Sequence, residues 1–267
     1  MAGISQVLYI SHGGGPLPLL GDAAHKELVQ QLEYYARKIE KPEAIVVVSA
    51  HWEADVPTVT AGANPNLIYD YYDFPEESYH IQYPAPGSPA LAQALADAFA
   101  AHGLPLEQDA ERGFDHGMFV PLKLMYPNAD IPVVQLSLVK SLDADMHVRM
   151  GEALQALKGK NILLLGSGFS FHNMKMFFTP ETAEIRAQNL AFEHWLQDTL
   201  GNPELTEHER KARLVGWQQA PSARFCHPRE EHLLPLHLCY GAAAKAADEL
   251  DSAKVLGKSA GLFYWHS

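Results

Sequence analysis

Three apolar runs in this chain each end, within a few residues, on a histidine: Val7-Leu8-Tyr9-Ile10 on Ser11-His12, Ile45-Val46-Val47-Val48 on Ser49-Ala50-His51, and Ile162-Leu163-Leu164-Leu165 on a loop that reaches His172. Short bounded runs of this kind read as buried strands, and in an open α/β sheet the carboxyl ends of strands line the crevice where ligands bind. Histidines carried by separate strands can therefore meet there. Converging neutral imidazoles are most simply a metal site, because imidazole is the commonest side-chain ligand of transition metals. Singly, each is more often a loop histidine bonded to a nearby carbonyl; the repetition is what favours a site.

Other constellations narrow the chemistry. Ser11-His12-Gly13-Gly14-Gly15-Pro16 lacks the P-loop Lys-Ser/Thr, so its glycines read as a sharp turn that leaves His12 facing the crevice. In Phe114-Asp115-His116-Gly117, Asp115 can orient His116 as an acid/base or cap the segment that follows. Gly166-Ser167-Gly168 fails the nucleophile elbow of serine hydrolases, its third position being Gly168 rather than serine. The densest cluster runs from Cys226 to His237 and holds no His-Glu-x-x-His zinc helix. His227, His232 and His237 are spaced by five, which at about 100° per residue spreads them around a helix. Pro235 belongs to a first helical turn, which sets the helix start near 229–232 and puts His232 at its amino end, able to face a sheet-end crevice. His227 and His237 are expected at the surface or behind the ligands. Arg224 and Arg229 are read as surface ion-pair partners in preference to binders of a substrate carboxylate.

These residues need a scaffold. Leu28, Leu32, Tyr35 and Ile39 at helical spacing predict a helix over 22–40 with Asp22 as its N-cap. With a strand on either side, at 7–10 and 44–50, that order implies parallel pairing through a right-handed crossover, His12 and His51 sitting on neighbouring strands. Helices follow at 89–101, 143–157, 180–200, 207–217 and 230–250, with an amphipathic segment at 118–125. Strands are expected at 58–60, 131–139, 161–165 and 258–265. The alternation predicts an α/β fold: one domain over residues 1–267, with a doubly wound, mostly parallel central sheet flanked by helices and the metal site at the carboxyl ends of its strands. The aromatic stretch 68–74 (Ile-Tyr-Asp-Tyr-Tyr-Asp-Phe) is too irregular for an element and reads as a site wall or lid, or as a loop pinned by its own rings.

A formal charge of −12, from 20 basic and 32 acidic residues, argues against a nucleic-acid surface. No stretch approaches the ~20 apolar residues that cross a bilayer, and residues 1–5 carry no signal-peptide pattern, so a cytoplasmic protein without membrane partners is expected. Cys226 and Cys239 form neither a disulfide framework nor a Cys-x-x-Cys knuckle, leaving nitrogen and oxygen as metal donors.

Six motifs, in order, resemble those of the class III extradiol ring-cleavage dioxygenases (LigB-like), in the branch of 4,5-DOPA dioxygenase extradiol. They are Ser11-His12-Gly13, Ser49-Ala50-His51-Trp52, Tyr83-Pro84-Ala85-Pro86-Gly87-Ser88-Pro89, Gly113-Phe114-Asp115-His116-Gly117, His172-Asn173 and Glu231-His232-Leu233-Leu234-Pro235-Leu236. The resemblance spans nearly the whole chain. It implies an oxidoreductase with a non-haem Fe(II) site that opens a catechol-type, DOPA-like ring with O2 to a semialdehyde, with Zn(II) as another resident metal. Carried over motif by motif, His12, His51 and His232 become metal ligands, His172 either a fourth ligand or the catalytic base, and His116 its catalytic partner at substrate or oxygen. A related branch has a glutamate at the position of His232, so this chain departs from the two-histidine, one-carboxylate triad toward an all-imidazole set that also suits zinc. Two other readings stand beside it: a non-catalytic metal-binding or interaction protein on the same scaffold, and a zinc-dependent hydrolase.

Overall fold

Each of the three histidine-tipped runs is a strand in the computed structural model, which describes residues 4–157 and 161–266. Residues 1–3, part of the stretch 1–5 read above for a signal peptide, lie outside the described residues. In chain order the strands are β1 (Ile4–Ser11), β2 (Ala44–Ala54), β3 (Thr58–Thr60), β4 (Glu107–Asp109), β5 (Val133–Val139), β6 (Ile162–Gly168), β7 (Glu249–Val255) and β8 (Lys258–His266). The helices are α1 (Lys26–Lys38), α2 (Pro89–Ala101), α3 (His116–Met125), α4 (Ala144–Leu154), α5 (Met174–Phe177), α6 (Ala183–Gly201), α7 (Glu207–Val215), α8 (Ala223–Cys226) and α9 (Leu234–Ala243). The strands form one sheet in the order β4-β3-β5-β2-β6-β1-β8-β7, in which β5, β2, β6 and β1 run parallel and β8 joins antiparallel. The sequence expectation of a single α/β domain with a mostly parallel sheet is met.

The sheet is covered on both faces, which is why its strands read as continuous apolar runs. Val46, Val48 and Leu164 pack with α2, α4 and α9 on one side, while Ile45, Val47, Leu163 and Leu165 pack with α1 and α3 on the other. Helix α1 buries Leu28, Leu32 and Tyr35 as its spacing predicts, with Asp22 capping the short 3-10 turn just before it.

Three expectations need correction. β1 and β2 are not neighbours: β6 lies between them and pairs with both, so the crossover through α1 skips one strand position. The segment 118–125 is not amphipathic; α3 starts at His116 and is wedged into the core, leaving only Lys123 and Leu124 partly exposed. The helix over 230–250 is too long at both ends. α9 starts at Leu234 after an irregular turn and stops at Ala244, whose φ of 50° breaks it. The alanine-rich tail has helix propensity, but 249–255 instead pairs with β8 as β7 and buries Ala253 and Val255.

Candidate metal centre

The carboxyl ends of β1, β2 and β6, the first residue of α3 and the turn before α9 bring His12, His51, His172, His116 and His232 to one place. His12 and His51 face each other with Nε2 atoms 3.1 Å apart, and the His232 ring centroid lies 5.3 Å and 5.0 Å from theirs. His116 lies 3.9 Å from His51, ring to ring, and His172 stacks on His232 at 3.4 Å and 14°. Two groups have donor atoms close enough to share a cation: His12, His51 and His116, and His172, Glu231 and His232.

The partners of these rings decide which nitrogen each presents. Pro121 sits inside α3 and has no N–H, so the Gly117 carbonyl loses its helical donor. The Ser167 hydroxyl on β6 takes that place and donates to Gly117 O. Its oxygen is then free to accept from His12 Nδ1, 3.0 Å away, which leaves the His12 Nε2 lone pair facing the cavity. The insertion of β6 between the two ligand-bearing strands is what puts Ser167 there, in register with Ile10 and Ser49.

Carboxylates do the same for three other rings. Asp70 Oδ1 accepts both the backbone N–H and Nδ1–H of His116, at 3.0 and 2.8 Å. Glu231 Oε1 lies 3.0 Å from His232 Nδ1 and 3.2 Å from His172 Nδ1. Anchoring one ring nitrogen to an oxygen acceptor fixes the tautomer and aims the other at a metal. Burial, reinforced by the neighbouring imidazoles, holds His12 and His51 well below the usual histidine range, and His232 at about 3. These three rings are neutral at neutral pH, as metal ligands must be. Burial alone would raise the Glu231 carboxyl, but hydrogen bonds from His172 and His232 hold it well below the usual range.

The backbone around His232 is fixed with equal care. Its carbonyl accepts from Phe169 N–H at 2.9 Å and Tyr9 O–H at 3.1 Å, and a Cβ at Gly168 would overlap that carbonyl. His172 is held through its own N–H, which donates to Cys226 O at 2.9 Å. At the other end, Gly13 turns the chain after His12 at φ 88°, a left-handed conformation suited to glycine.

All five histidines read from the sequence as site residues thus reach one cavity of about 580 Å³. Asp115 stands at the N-cap of α3, its carbonyl accepting from Met118 and Phe119 N–H, but its side chain neither caps the helix nor orients His116. It is fully buried on Ser49 Oγ (2.8 Å), Gln135 Nε2 and Arg112 (3.4 Å), while Asp70 orients His116 from the aromatic loop. That loop reaches the site because Ile68 N–H bonds to Phe114 O and Phe114 N–H to Asn66 O, both at 2.8 Å. Both readings of the loop hold: Tyr71 and Tyr69 are pinned through Ser78 O and Ile81 O at 2.6 Å, and Tyr71, Tyr72 and Phe74 wall the cavity. His227 and His237 are not surface groups but fully buried, facing backbone carbonyls. Arg229 is tied to Glu53 by paired contacts of 2.5 and 2.7 Å, and Arg224 to Glu230 at 2.7 Å, as surface ion pairs. Among the described residues no helix is long and apolar enough to cross a membrane.

A family model described as the catalytic LigB subunit of aromatic ring-opening dioxygenase matches residues 6–265. Similar curated proteins include a dioxygenase, tasH, from Hapsidospora irregularis, 44% identical over 90% of this chain and 79% of that protein. The 4,5-DOPA dioxygenase extradiol of Beta vulgaris is 39% identical over 91% of this chain and 88% of its own length. A crystal structure of an uncharacterized protein from Escherichia coli K12 superposes with a TM-score of 0.77 at 31% identity, covering 97% of this chain and 99% of that one.

Proposed function

Because the chain belongs to the family of catalytic LigB subunits of aromatic ring-opening dioxygenases, and is an extradiol enzyme that opens an aromatic small molecule with O2, we propose that it uses Fe(II) to cleave a catechol-type ring to a semialdehyde. In this reading His12, His51 and His232 hold the metal, His172 is the base and His116 its partner. The observation that carries it is the convergence of imidazoles whose Nδ1 atoms are anchored to Ser167, Asp70 and Glu231, so that Nε2 lone pairs face one cavity.

The residues fit a divalent transition metal: the donors are neutral and face one cavity, and His12 and His232 are backed by oxygen acceptors. When bound, Fe(II) supplies Lewis acidity toward the ring oxygens and the one-electron chemistry that O2 demands. Zinc suits an all-imidazole set equally well as a resting metal but is redox-inert. His172 has its Nδ1–H directed at Glu231, which leaves Nε2 to take the proton of a ring hydroxyl while the carboxylate stabilises the imidazolium formed. His116, backed by Asp70 in the same way, can hold a second proton at Nε2. Tyr71 and Phe169 beside the histidines exclude water from the reacting ring.

Relatives named for 4,5-DOPA make DOPA the reference catechol. Protein loaded anaerobically with Fe(II) is expected to consume O2 and form a yellow ring-cleavage product on addition of a catechol, and Zn(II)-loaded protein to do neither. No oxygen uptake across a broad catechol panel despite stoichiometric bound iron would overturn the proposal.

A further inference from the structure

Ring opening needs two hydroxyls and a metal; the rest of the cavity reads the substituent. At about 580 Å³ it falls within the roughly 300–1,000 Å³ that drug-sized ligands occupy. That is more than a bare dihydroxybenzene fills. The outer half is apolar: Phe177 stacks on Phe169 at 5.3 Å and 18°, and Leu17 and Leu256 face the same space. Tyr72 and Phe178 are each 83% exposed and Met174 54%, and all three stand at the mouth of this cavity. Large apolar side chains left in water at the rim of a site mark a surface meant to be covered by what binds there.

The charges point the same way. Among the described residues lining the cavity none is lysine or arginine, and the one ionised side chain on its rim is Asp73. The guanidinium groups around the site are already paired: Arg229 with Glu53 and Glu231, Arg224 with Glu230, and Arg112 with buried Asp115. In the glycine turn the Gly14 N–H, which could otherwise meet an anion, already donates to His25 Nε2 at 3.0 Å. A carboxylate on the substituent would lose its hydration there and meet no side-chain cation in return, the metal being taken by the ring hydroxyls.

Resting on the catechol-cleaving function proposed above, we infer that the preferred substrate is a catechol with a bulky apolar substituent and no carboxylate, its substituent lying against Tyr72, Met174, Phe177 and Phe178. The zwitterionic side chain of DOPA is then a poorer fit than an aryl or alkyl arm. The test is anaerobic calorimetric titration of the Fe(II)-loaded protein, where cleavage cannot occur, with 3,4-dihydroxybiphenyl, DOPA and 3,4-dihydroxyphenylacetate, followed by kcat/KM for each in air. The biphenyl is expected to bind at least about tenfold more tightly than either acid, the scale of one well-buried apolar group. The Tyr72→Ala/Phe178→Ala double variant, altered only at side chains that are largely in water and so without threat to the fold, should lose most of that margin. Equal or tighter binding of the acids, or a margin untouched in the double variant, overturns the inference. Absence of turnover with every catechol overturns the ring-opening function instead, and the anaerobic binding order still decides the substituent.

Discussion

Two sets of buried histidines occupy this molecule, and they differ in what their ring nitrogens meet. His147 and His237 lie fully inside the core with both nitrogens on the backbone. In His147, Nδ1 meets Asp143 O at 2.7 Å and Nε2 accepts from Val139 N–H at 3.1 Å; in His237, Nε2 meets Leu214 O at 2.8 Å and Nδ1 meets Leu233 O at 3.3 Å. His227 donates from Nε2 to Ser170 O at 2.7 Å. His12, His116, His172 and His232 instead have Nδ1 on a hydroxyl or carboxylate side chain, and with His51 they crowd one cavity. Burial and depressed basicity occur in both sets, in His12, His51 and His232 as in His147, His227 and His237, so neither marks a metal site. What separates them is an anchored Nδ1 combined with an Nε2 turned to the cavity, where those of His12 and His51 meet only each other, at 3.1 Å.

Exchanging the roles of the sets gives the largest effect. His51→Gln should remove bound metal and lower kcat/KM by about 10³-fold or more, as loss of a member of a catalytic unit does, while leaving the melting temperature of the metal-free protein unchanged or raised. His237→Ala should do the reverse. It cuts a packed ring from two backbone carbonyls, at a cost of about 2–4 kcal/mol by chemical denaturation, with metal stoichiometry intact. Metal analysis and urea unfolding on the same preparations decide it. A His237 variant that loses metal, or a His51 variant that unfolds, erases the distinction.

How much of this was legible in the chain follows from the range of each interaction. The strands tipped by His12, His51 and His172 were readable because burial on both faces writes a continuous apolar run, as at 45–48 and 162–165. The place of β6 between β1 and β2 was not, since strand order is set by a crossover whose length does not say how many strands it passes. His232 could be placed near a helix start from Pro235 alone, whereas the hairpin of β7 and β8 was hidden by alanines that suit a helix. The partners fared worst. Asp115 is next to His116 in sequence but turned to Ser49, Gln135 and Arg112, and Asp70, which does orient His116, arrives through a loop stitched to Phe114. Glu231 stood in plain view beside His232; that it also reaches His172 depends on the stacking of two rings 60 residues apart in the chain.

Acid should test what the two sets share. Burial lowers His147 to about 4 and His227 to about 3. Because their folded values lie below the unfolded value near 6.5, the unfolded chain binds more protons throughout that interval. The stability these groups contribute is therefore complete above about pH 6.5 and is lost as pH falls toward about 4, by on the order of 2–3 kcal/mol for a buried group shifted this far. Metal protects only the cavity set, so the loss should persist in metal-loaded protein. Urea unfolding at a series of pH values, with and without metal, reads it directly; a metal-loaded protein equally stable at pH 6.5 and pH 4.5 would show that the core histidines do not titrate as their burial demands.

The finest distinction is the chain of contacts that fixes His12. Ser167 can accept from His12 Nδ1 because its own proton goes to Gly117 O, and Gly117 O is open to it because Pro121 has no N–H to give. Ser167→Ala removes the acceptor and should weaken metal binding by about 10- to 100-fold, the usual scale for a group that orients a ligand, with little change in unfolding. Pro121→Ala acts one step further back. It restores a helical donor that competes with Ser167 for the Gly117 carbonyl, so the hydroxyl is held less firmly rather than lost, and metal affinity should fall by only a few-fold, about 1 kcal/mol or less. The helix itself should be no less stable, since alanine replaces an interior proline. Competition with a chelator of known affinity ranks the two variants. If Pro121→Ala weakened binding as much as Ser167→Ala, or if neither did, the tautomer of His12 would have to be held by something other than this relay.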